Sequence, residues 1–141
     1  MSRVIAFPVA LVLVLAGCQT PPAPPTKPQP ICAGGDVMMQ TTLWFGLSKP
    51  QGGTVSSLEW MNFVDKEVTP RFRDGLSVYD AKGQWLGENG QLARENSKAL
   101  MLIHRFDPAV NNHIEALRTL YKKRFGQESV MRIDAPVCVG F

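Results

Sequence analysis

The sequence has few of the features that identify an enzyme or a nucleic-acid-binding protein. It contains no Gly-x-Ser-x-Gly, His-Glu-x-x-His, P-loop or dinucleotide-binding pattern, so no cofactor is predicted. Charged residues make up only 19% of the 141 residues, and the formal net charge is +3. The basic residues are scattered except at 122–124, which argues against nucleic acid as a partner.

Histidine and cysteine are also scarce. His104 and His113 are the only histidines, and neither stands with a third ligand at metal-binding spacing, so no metal site is predicted. The three cysteines form no Cys-x-x-Cys pair, which argues against a redox centre. The extended apolar run, residues 4–15, contains Pro8 and is too short to cross a bilayer comfortably.

This apolar run has the composition of an export signal. It follows one charge, Arg3, and precedes residues 15–18, which read Leu-Ala-Gly-Cys and resemble the lipobox of bacterial lipoproteins. The resemblance implies cleavage before Cys18, a diacylglycerol thioether on its sulfur and an acylated new amino terminus. The alternative is a secreted soluble protein in which Cys18 has no role. Gln19 is not the aspartate associated with inner-membrane retention, which favours the periplasmic face of the outer membrane.

Three segments with different compositions follow from this interpretation. Residues 1–17 are a signal peptide that is removed, and the lipid on Cys18 makes the membrane the first predicted partner. Residues 18–30 are a tether, because six of the ten residues from 21 to 30 are proline and form a semi-rigid stalk. Residues 31–141 are a single domain.

Two cysteines remain in the predicted domain. Cys32 and Cys138 form an even pair in an oxidising compartment, which predicts a disulfide. The alternative is two free thiols.

Hydrophobic periodicity and turn signals predict an α+β domain of the ferredoxin-like type, β-α-β-β-α-β. Its single antiparallel sheet carries two helices on one face. The predicted strands cover residues 41–47, 76–86, 91–106 and 129–139, and the predicted helices run from the N-cap Ser56 to Thr69 and from Asp107 to Phe125.

Two further structural expectations concern the sheet. The Asn89-Gly90 pair predicts a two-residue hairpin turn that sets Trp85 opposite Arg94 and Gln84 opposite Glu95. The face without helices still carries apolar residues, so either a second copy of the chain or residues 33–40 should cover it. Five aromatic residues are expected in the core: Trp44, Trp60, Phe63, Phe72 and Phe125.

A set of short motifs resembles a family of exported bacterial proteins whose function is unknown. The resemblance covers residues 43–141 and implies an exported domain with the same arrangement, without a known reaction or ligand. The motifs are TPRF at 69–72, DGL at 74–76, GQW at 83–85, RE-x-SK at 94–98 and RFGQESV at 124–130.

The candidate functional residues come from the polar positions of these motifs. Catalytic candidates are Arg94 as an anion-binding group, Glu95 as a base and His104. Ligand-binding candidates are Arg71, Gln84, Trp85 and Arg94. The alternative is a salt-bridged hairpin that only stiffens the edge of the sheet.

The sequence therefore favours a membrane-anchored periplasmic lipoprotein that acts as a non-catalytic binding or assembly module. The alternative is a small-molecule enzyme or sensor whose cavity lies between the sheets of a homodimer. The sequence identifies no protein partner.

Overall fold

The structure is a computed structural model that describes residues 32–141. The predicted signal peptide, the lipidation site Cys18 and the tether of residues 18–30 lie outside the described residues. Four strands and two helices occur in the predicted order: β1 Asp36–Gly46, α1 Ser57–Phe63, β2 Ser77–Leu86, β3 Leu92–His104, α2 Pro108–Phe125 and β4 Met131–Val139.

The strands form one antiparallel sheet in the order β2-β3-β1-β4, which confirms the ferredoxin-like fold. β1 begins five residues earlier than predicted, because Asp36 already pairs with Val139 of β4. The expectation that residues 33–40 cover the open face is therefore wrong, since most of them extend β1. The predicted disulfide is present: Cys32 is bonded to Cys138, with 5.5 Å between their Cα atoms.

The first helix begins as its capping signal predicts. The Ser56 side chain accepts from the Glu59 N–H, and the Glu59 carboxylate accepts from the Ser56 N–H. After Phe63 the helix widens into a π-helical turn, Val64–Val68, which ends with the Thr69 N–H donating to the Val64 carbonyl.

The core lies between the sheet and the two helices. Alternation along the central strands turns one set of side chains towards the helices, among them Leu43, Phe45, Leu100 and Leu102, all fully buried. Phe45 packs edge-on against Tyr121 of α2, with ring centroids 4.6 Å apart. The sheet face opposite the helices, called the open face here, is formed by the intervening residues of each strand.

The predicted hairpin register is wrong by one residue. Gln84 pairs with Arg94, and Glu95 pairs with Gly83 rather than with Gln84. A two-residue turn of the predicted type needs positive φ at both central residues, but only Gly90 has one, at 74°. The Gly87 N–H instead donates to the Gln91 carbonyl across a three-residue loop.

The open face keeps a substantial apolar surface. Tyr79 and Trp85 of β2 are each 51% exposed, and Met131 and Ile133 of β4 are also exposed. Trp44 was expected in the core, but its even position in β1 places it on this face, since its neighbours Leu43 and Phe45 point to the helices.

Candidate ligand site

A concave site of about 560 Å³ lies at the end of the open face where β1 leaves the sheet. We call it the cleft, and we call this end of the sheet the cleft end. Strands β1, β2 and β3 supply most of its surface, and the loop after β1 and the segment before β4 complete it. Its lining includes Trp44, Gly46, Ser48, Lys49, Gly83, Trp85, Glu95, Ser97, residues 126–129 and Met131.

The centre of the cleft is open because its strand positions carry small residues. Gly46 of β1 pairs with Ser97 of β3, and Gly83 of β2 pairs with Glu95. A Cβ atom on Gly46 would lie only 2.7 Å from Oε1 of Glu95. The Gly46 carbonyl accepts from the hydroxyl of Tyr121 at 2.8 Å, which ties the cleft to α2. Burial raises the pKa of this tyrosine, so its hydroxyl keeps the proton that it donates.

Glu95 is held in the cleft by a backbone group. Its Oε1 accepts from the Ser48 N–H at 2.9 Å, and Gln127 donates to the Ser48 carbonyl from the opposite wall. Within residues 32–141, no salt bridge involves Glu95. The nearby Lys49 binds Glu59 instead, at 2.8 Å, and together with the Ser56 N–H this lowers the pKa of Glu59 to about 2.

Two tryptophans mark the ends of the cleft. Trp85 stands two residues beyond Gly83 on the same strand and face, beside Glu95. Trp44 stands at the other end, level with Ala99 of β3. Its indole Nε1 is buried and has no hydrogen-bond partner among the described residues, which is unusual for a buried donor.

The part of the sheet from its middle to the disulfide, which we call the disulfide end, holds a different polar cluster on the face that packs against the helices. The fully buried Thr41 donates from its hydroxyl to Asp134 at 2.6 Å and lies 2.9 Å from Nε2 of His104. Nδ1 of His104 lies 2.8 Å from the Arg105 carbonyl. All three contacts are hydrogen bonds at once only when both ring nitrogens of His104 carry hydrogen, since the carboxylate takes the only hydroxyl proton of Thr41.

Ion pairs extend this cluster across β4 to α2. Arg132 binds Asp134 at 2.9 Å and Glu115 at 2.8 Å, and Glu115 also binds Arg118. Burial alone would raise the pKa of Asp134, but hydrogen bonds from Thr41 and Arg132 outweigh it and lower that pKa. Burial likewise opposes ionisation of Glu115, and its two arginine partners lower its pKa overall. The polar groups of the disulfide end thus bind one another.

A second concavity of about 600 Å³ also lies near the disulfide end, between β3 and the loop before β2. His104 and Arg71 line it together with Arg73, Met101 and Phe141. The Arg71 guanidinium is occupied by Glu67, which it contacts at 3.2 Å, and Glu67 also binds Arg124.

The sequence-predicted site residues do not gather in one site, because His104 and Arg71 line the second concavity and the cleft takes others. His104 is nine residues along β3 from Glu95, a separation of roughly 30 Å. Arg94 and Gln84 lie on the opposite face of the hairpin from the cleft, where Arg94 donates to Gln84 at 3.1 Å. Of the candidates, only Trp85 and Glu95 line the cleft.

Several other functional features are not found in the described part of the chain. Residues 32–141 contain no cluster of three or more histidine, cysteine, aspartate or glutamate side chains placed to hold a metal ion. Neither helix in this region combines the length and apolar character that a membrane crossing requires.

Comparisons with known proteins give a family and a fold. The model of the family described as "Protein of unknown function (DUF3574)" matches residues 40–141. No curated protein matches this chain.

Among solved structures, a phage SAM lyase in complex with S-methyl-5'-thioadenosine has a TM-score of 0.55 and 22% identity. The match covers 73% of this chain and 83% of the lyase. The lyase in its apo state gives a TM-score of 0.52 at 22% identity, over 77% of this chain and 87% of the lyase. CutA from Synechococcus elongatus PCC7942 has a TM-score of 0.48 and 10% identity, and the match covers 74% of this chain and 80% of CutA. The likeness to the lyase shows a shared fold.

Proposed function

Because the chain belongs to the DUF3574 family of proteins of unknown function, we propose a role for it from its own cleft. The chain is a lipid-anchored protein of the periplasmic face of the outer membrane. Its folded domain is a non-catalytic module that binds a small molecule in the cleft. The observation that carries this proposal is the concave cleft itself, with a fixed carboxylate at Glu95 and an exposed indole at Trp85.

The size and lining of the cleft support small-molecule binding. A volume of about 560 Å³ falls in the range of roughly 300–1,000 Å³ that ligand sites occupy. Apolar surface from the tryptophans and Met131 surrounds a few polar groups, which is the composition of such sites. Because Gly46 and Ser97 lie between Trp44 and Trp85, a ligand can lie against the sheet.

The dispersal of the predicted catalytic residues supports a non-catalytic role. A base, an anion-binding group and a nucleophile must meet around one reacting atom. Arg94 and His104 lie away from the cleft, on the other face and at the other end of the sheet, and each contacts a neighbouring residue. Glu95 would have to act without either of them.

The location in the envelope rests on the sequence before the domain. The lipobox at residues 15–18 and the proline-rich segment at 18–30 would hold the cleft away from the membrane surface. Metabolic labelling with a clickable palmitate analogue tests the anchor. The wild-type protein should be labelled and recovered with outer membranes, and Cys18→Ser should be neither. Labelling of Cys18→Ser, or an unprocessed amino terminus in the wild type, would contradict the anchor.

Binding in the cleft is tested through compounds that copurify with the protein. Protein expressed from the full-length gene is purified from membranes in non-ionic detergent and denatured, and the released small molecules are measured by mass spectrometry. A compound should be enriched on wild type and absent from Trp85→Ala. Tyr79→Ala is the matched control, because Tyr79 lies on the same strand and face with the same 51% exposure but outside the cleft. Equal recovery from all three proteins would contradict a cleft ligand.

A second candidate function is an enzyme or sensor whose cavity lies between two packed sheets. It is favoured because Trp85 and Met131, which line the cleft, also belong to the exposed apolar face. A second copy of the chain packed on that face would enclose the cleft. The mass in solution, measured by light scattering, should then be that of a homodimer.

The fold shared with the phage SAM lyase gives this second candidate a reaction to test. Release of S-methyl-5'-thioadenosine from SAM is followed by chromatography, with Glu95→Gln as the comparison. If the wild type turns over SAM and Glu95→Gln does not, the protein is an enzyme and the proposal of a non-catalytic binding module is wrong. A monomer without turnover would exclude this second candidate.

A further inference from the structure

We propose that the ligand of the cleft is an elongated organic cation, with its positive group at Glu95 beside Trp85 and an apolar body directed towards Trp44. This inference rests on the proposed binding function and specifies the chemical class of the ligand. Four features support it: the local charge of the cleft, the fixed carboxylate, the aromatic surface of Trp85 and the distance from Glu95 to Trp44.

The local charge has the opposite sign to the charge of the whole chain. Two carboxylates, Glu95 and Glu128, and one amino group, Lys49, line the cleft. Both carboxylate oxygens of Glu59 accept from Lys49, at 2.8 and 3.0 Å, so this positive charge is already neutralised. Neither Glu95 nor Glu128 takes part in any salt bridge within residues 32–141. A protein with a formal charge of +3 thus presents a negative cleft.

The carboxylate of Glu95 is positioned to receive a donor. The Ser48 N–H holds Oε1, and no hydrogen bond of the described residues uses Oε2. Gly46 leaves room for this carboxylate, since a Cβ there would meet it at 2.7 Å. A half-buried carboxylate with one fixed oxygen and one unoccupied oxygen suits an ammonium group, because a charged donor strengthens the hydrogen bond.

Trp85 adds an aromatic surface next to this charge. It is a diagonal neighbour of Glu95 across β2 and β3, on the same face of the sheet. Indole has the most favourable ring face for a cation, and Trp85 is half exposed, so its ring is accessible. Glu95 and Trp85 therefore offer two complementary contacts to one positive group.

The distance to Trp44 indicates an elongated ligand. Glu95 and Ala99, the partner of Trp44, are four residues apart on β3, which is about 13 Å. The surface between them is made by Gly46 and Ser97 and carries no large side chain. A compact cation at Glu95 would leave that surface and the Trp44 ring uncovered, whereas an apolar body of this length would cover both.

The test uses three probes that share a ring and a four-carbon linker and differ in charge. They are 4-phenylbutylamine, which is cationic at pH 7, neutral 4-phenylbutanol and anionic 4-phenylbutyrate. Each is titrated into the full-length protein in non-ionic detergent, with a detergent-only blank, and binding is followed by NMR chemical shifts. We expect the amine to bind roughly tenfold more tightly than the alcohol and the carboxylate to bind most weakly.

Substitutions separate the charge from the surface. Glu95→Gln should make the amine and the alcohol bind equally, and Trp85→Ala should weaken the amine by roughly two- to fivefold. Glu88→Gln is the matched control, because Glu88 lies in the same hairpin but outside the cleft, and it should keep the full preference. Equal binding of the amine and the alcohol to the wild type overturns the inference, as does a preference that survives in Glu95→Gln.

The outcome for the ligand class is distinguishable from the outcome for binding itself. A copurified compound that depends on Trp85 but is neutral or anionic overturns the cation and leaves the binding function intact. Failure of all three probes to bind, together with no copurified compound that depends on Trp85, overturns both.

Discussion

The two ends of the sheet carry their polar residues in opposite states. At the disulfide end, Thr41, His104 and Asp134 contact one another, and Arg132 joins them to Glu115 on α2. At the cleft end, the Glu95 carboxylate accepts one backbone N–H and has no cationic partner among residues 32–141. The contacts of the first end stabilise the fold, and under our proposal the carboxylate of the second end receives a ligand.

The partners of a polar residue indicate whether it serves stability or function. Mutually paired groups stabilise a fold, because removing one partner leaves the others desolvated and unsatisfied. An ionised group in a concavity without a partner gives the fold little and offers a contact to a ligand. His104 and Glu95 both looked functional in the sequence, and their surroundings separate them.

The largest effect is expected from the disulfide. Cys32 and Cys138 close a loop that spans 106 residues, nearly the whole domain. On the chain-entropy model, replacing both with serine lowers the free energy of unfolding by about 4–5 kcal/mol. Urea denaturation of the variant and the wild type measures this loss. At urea concentrations where the variant remains folded, its cleft should bind as the wild type does, and lost binding there would contradict the independence of the two ends.

A smaller loss is expected from Thr41→Val at the same end. Thr41 is 0% exposed, and valine keeps its shape but removes the hydroxyl that joins Asp134 to His104. Because Asp134 and His104 each lose their contact with this hydroxyl, the free energy of unfolding should fall by about 1–3 kcal/mol.

The control for this prediction is the neighbouring Thr42→Val. Thr42 points to the open face, and its hydroxyl makes only a 3.5 Å contact with Gln40. We expect this change to stay within about 0.5 kcal/mol of the wild type. Equal losses from the two variants would show that the cluster at the disulfide end contributes no particular stability.

Acid should weaken the disulfide end in a defined pH range. The pKa of Asp134 is lowered from 3.8 in the folded protein, so its ionised form stabilises the fold. This contribution is fully present above pH 3.8 and is lost as the pH falls through the lowered folded value. The difference in unfolding free energy between wild type and Asp134→Asn should therefore shrink below pH 3.8. A difference that does not change as the pH falls would contradict this role of Asp134.

Local sequence signals predicted the fold well. The capping box at Ser56, the Asp107-Pro108 helix start and the doubly apolar stretch around Leu100 each specify an element without reference to the rest of the chain. The even pair of cysteines predicted the disulfide, and the motifs of residues 69–130 predicted a family of unknown function, which the match over residues 40–141 confirms.

The site was harder to predict, because it depends on register. A one-residue shift in the β2–β3 hairpin moves Arg94 and Gln84 to one face and leaves Glu95 opposite Gly83 on the other. The Asn89-Gly90 pair is compatible with both turns, so the sequence alone could not decide between them. Trp44 was missed for a related reason: an apolar strand does not reveal which of its aromatic residues faces the helices. The small residues Gly46 and Gly83 were the signal that could have marked the cleft.

A small effect on stability is expected from a change at Glu95 itself. Glu95→Gln keeps the shape of the side chain and an oxygen that can accept from the Ser48 N–H, and it breaks no salt bridge. Its free energy of unfolding should therefore stay within about 1 kcal/mol of the wild type, while the preference of the cleft for a cationic probe is lost. Urea denaturation and probe titration on the same sample measure both quantities.

If the two ends differ as described, stability and probe binding should change independently of each other. Thr41→Val should lower stability and leave probe binding unchanged, because Thr41 shares the helix-packed face of the sheet with Leu43, whereas the cleft lies on the open face. Glu95→Gln should do the reverse. A loss of several kcal/mol from Glu95→Gln would place Glu95 among the structural polar groups, since only a carboxylate that the fold itself needs can cost that much on neutralisation.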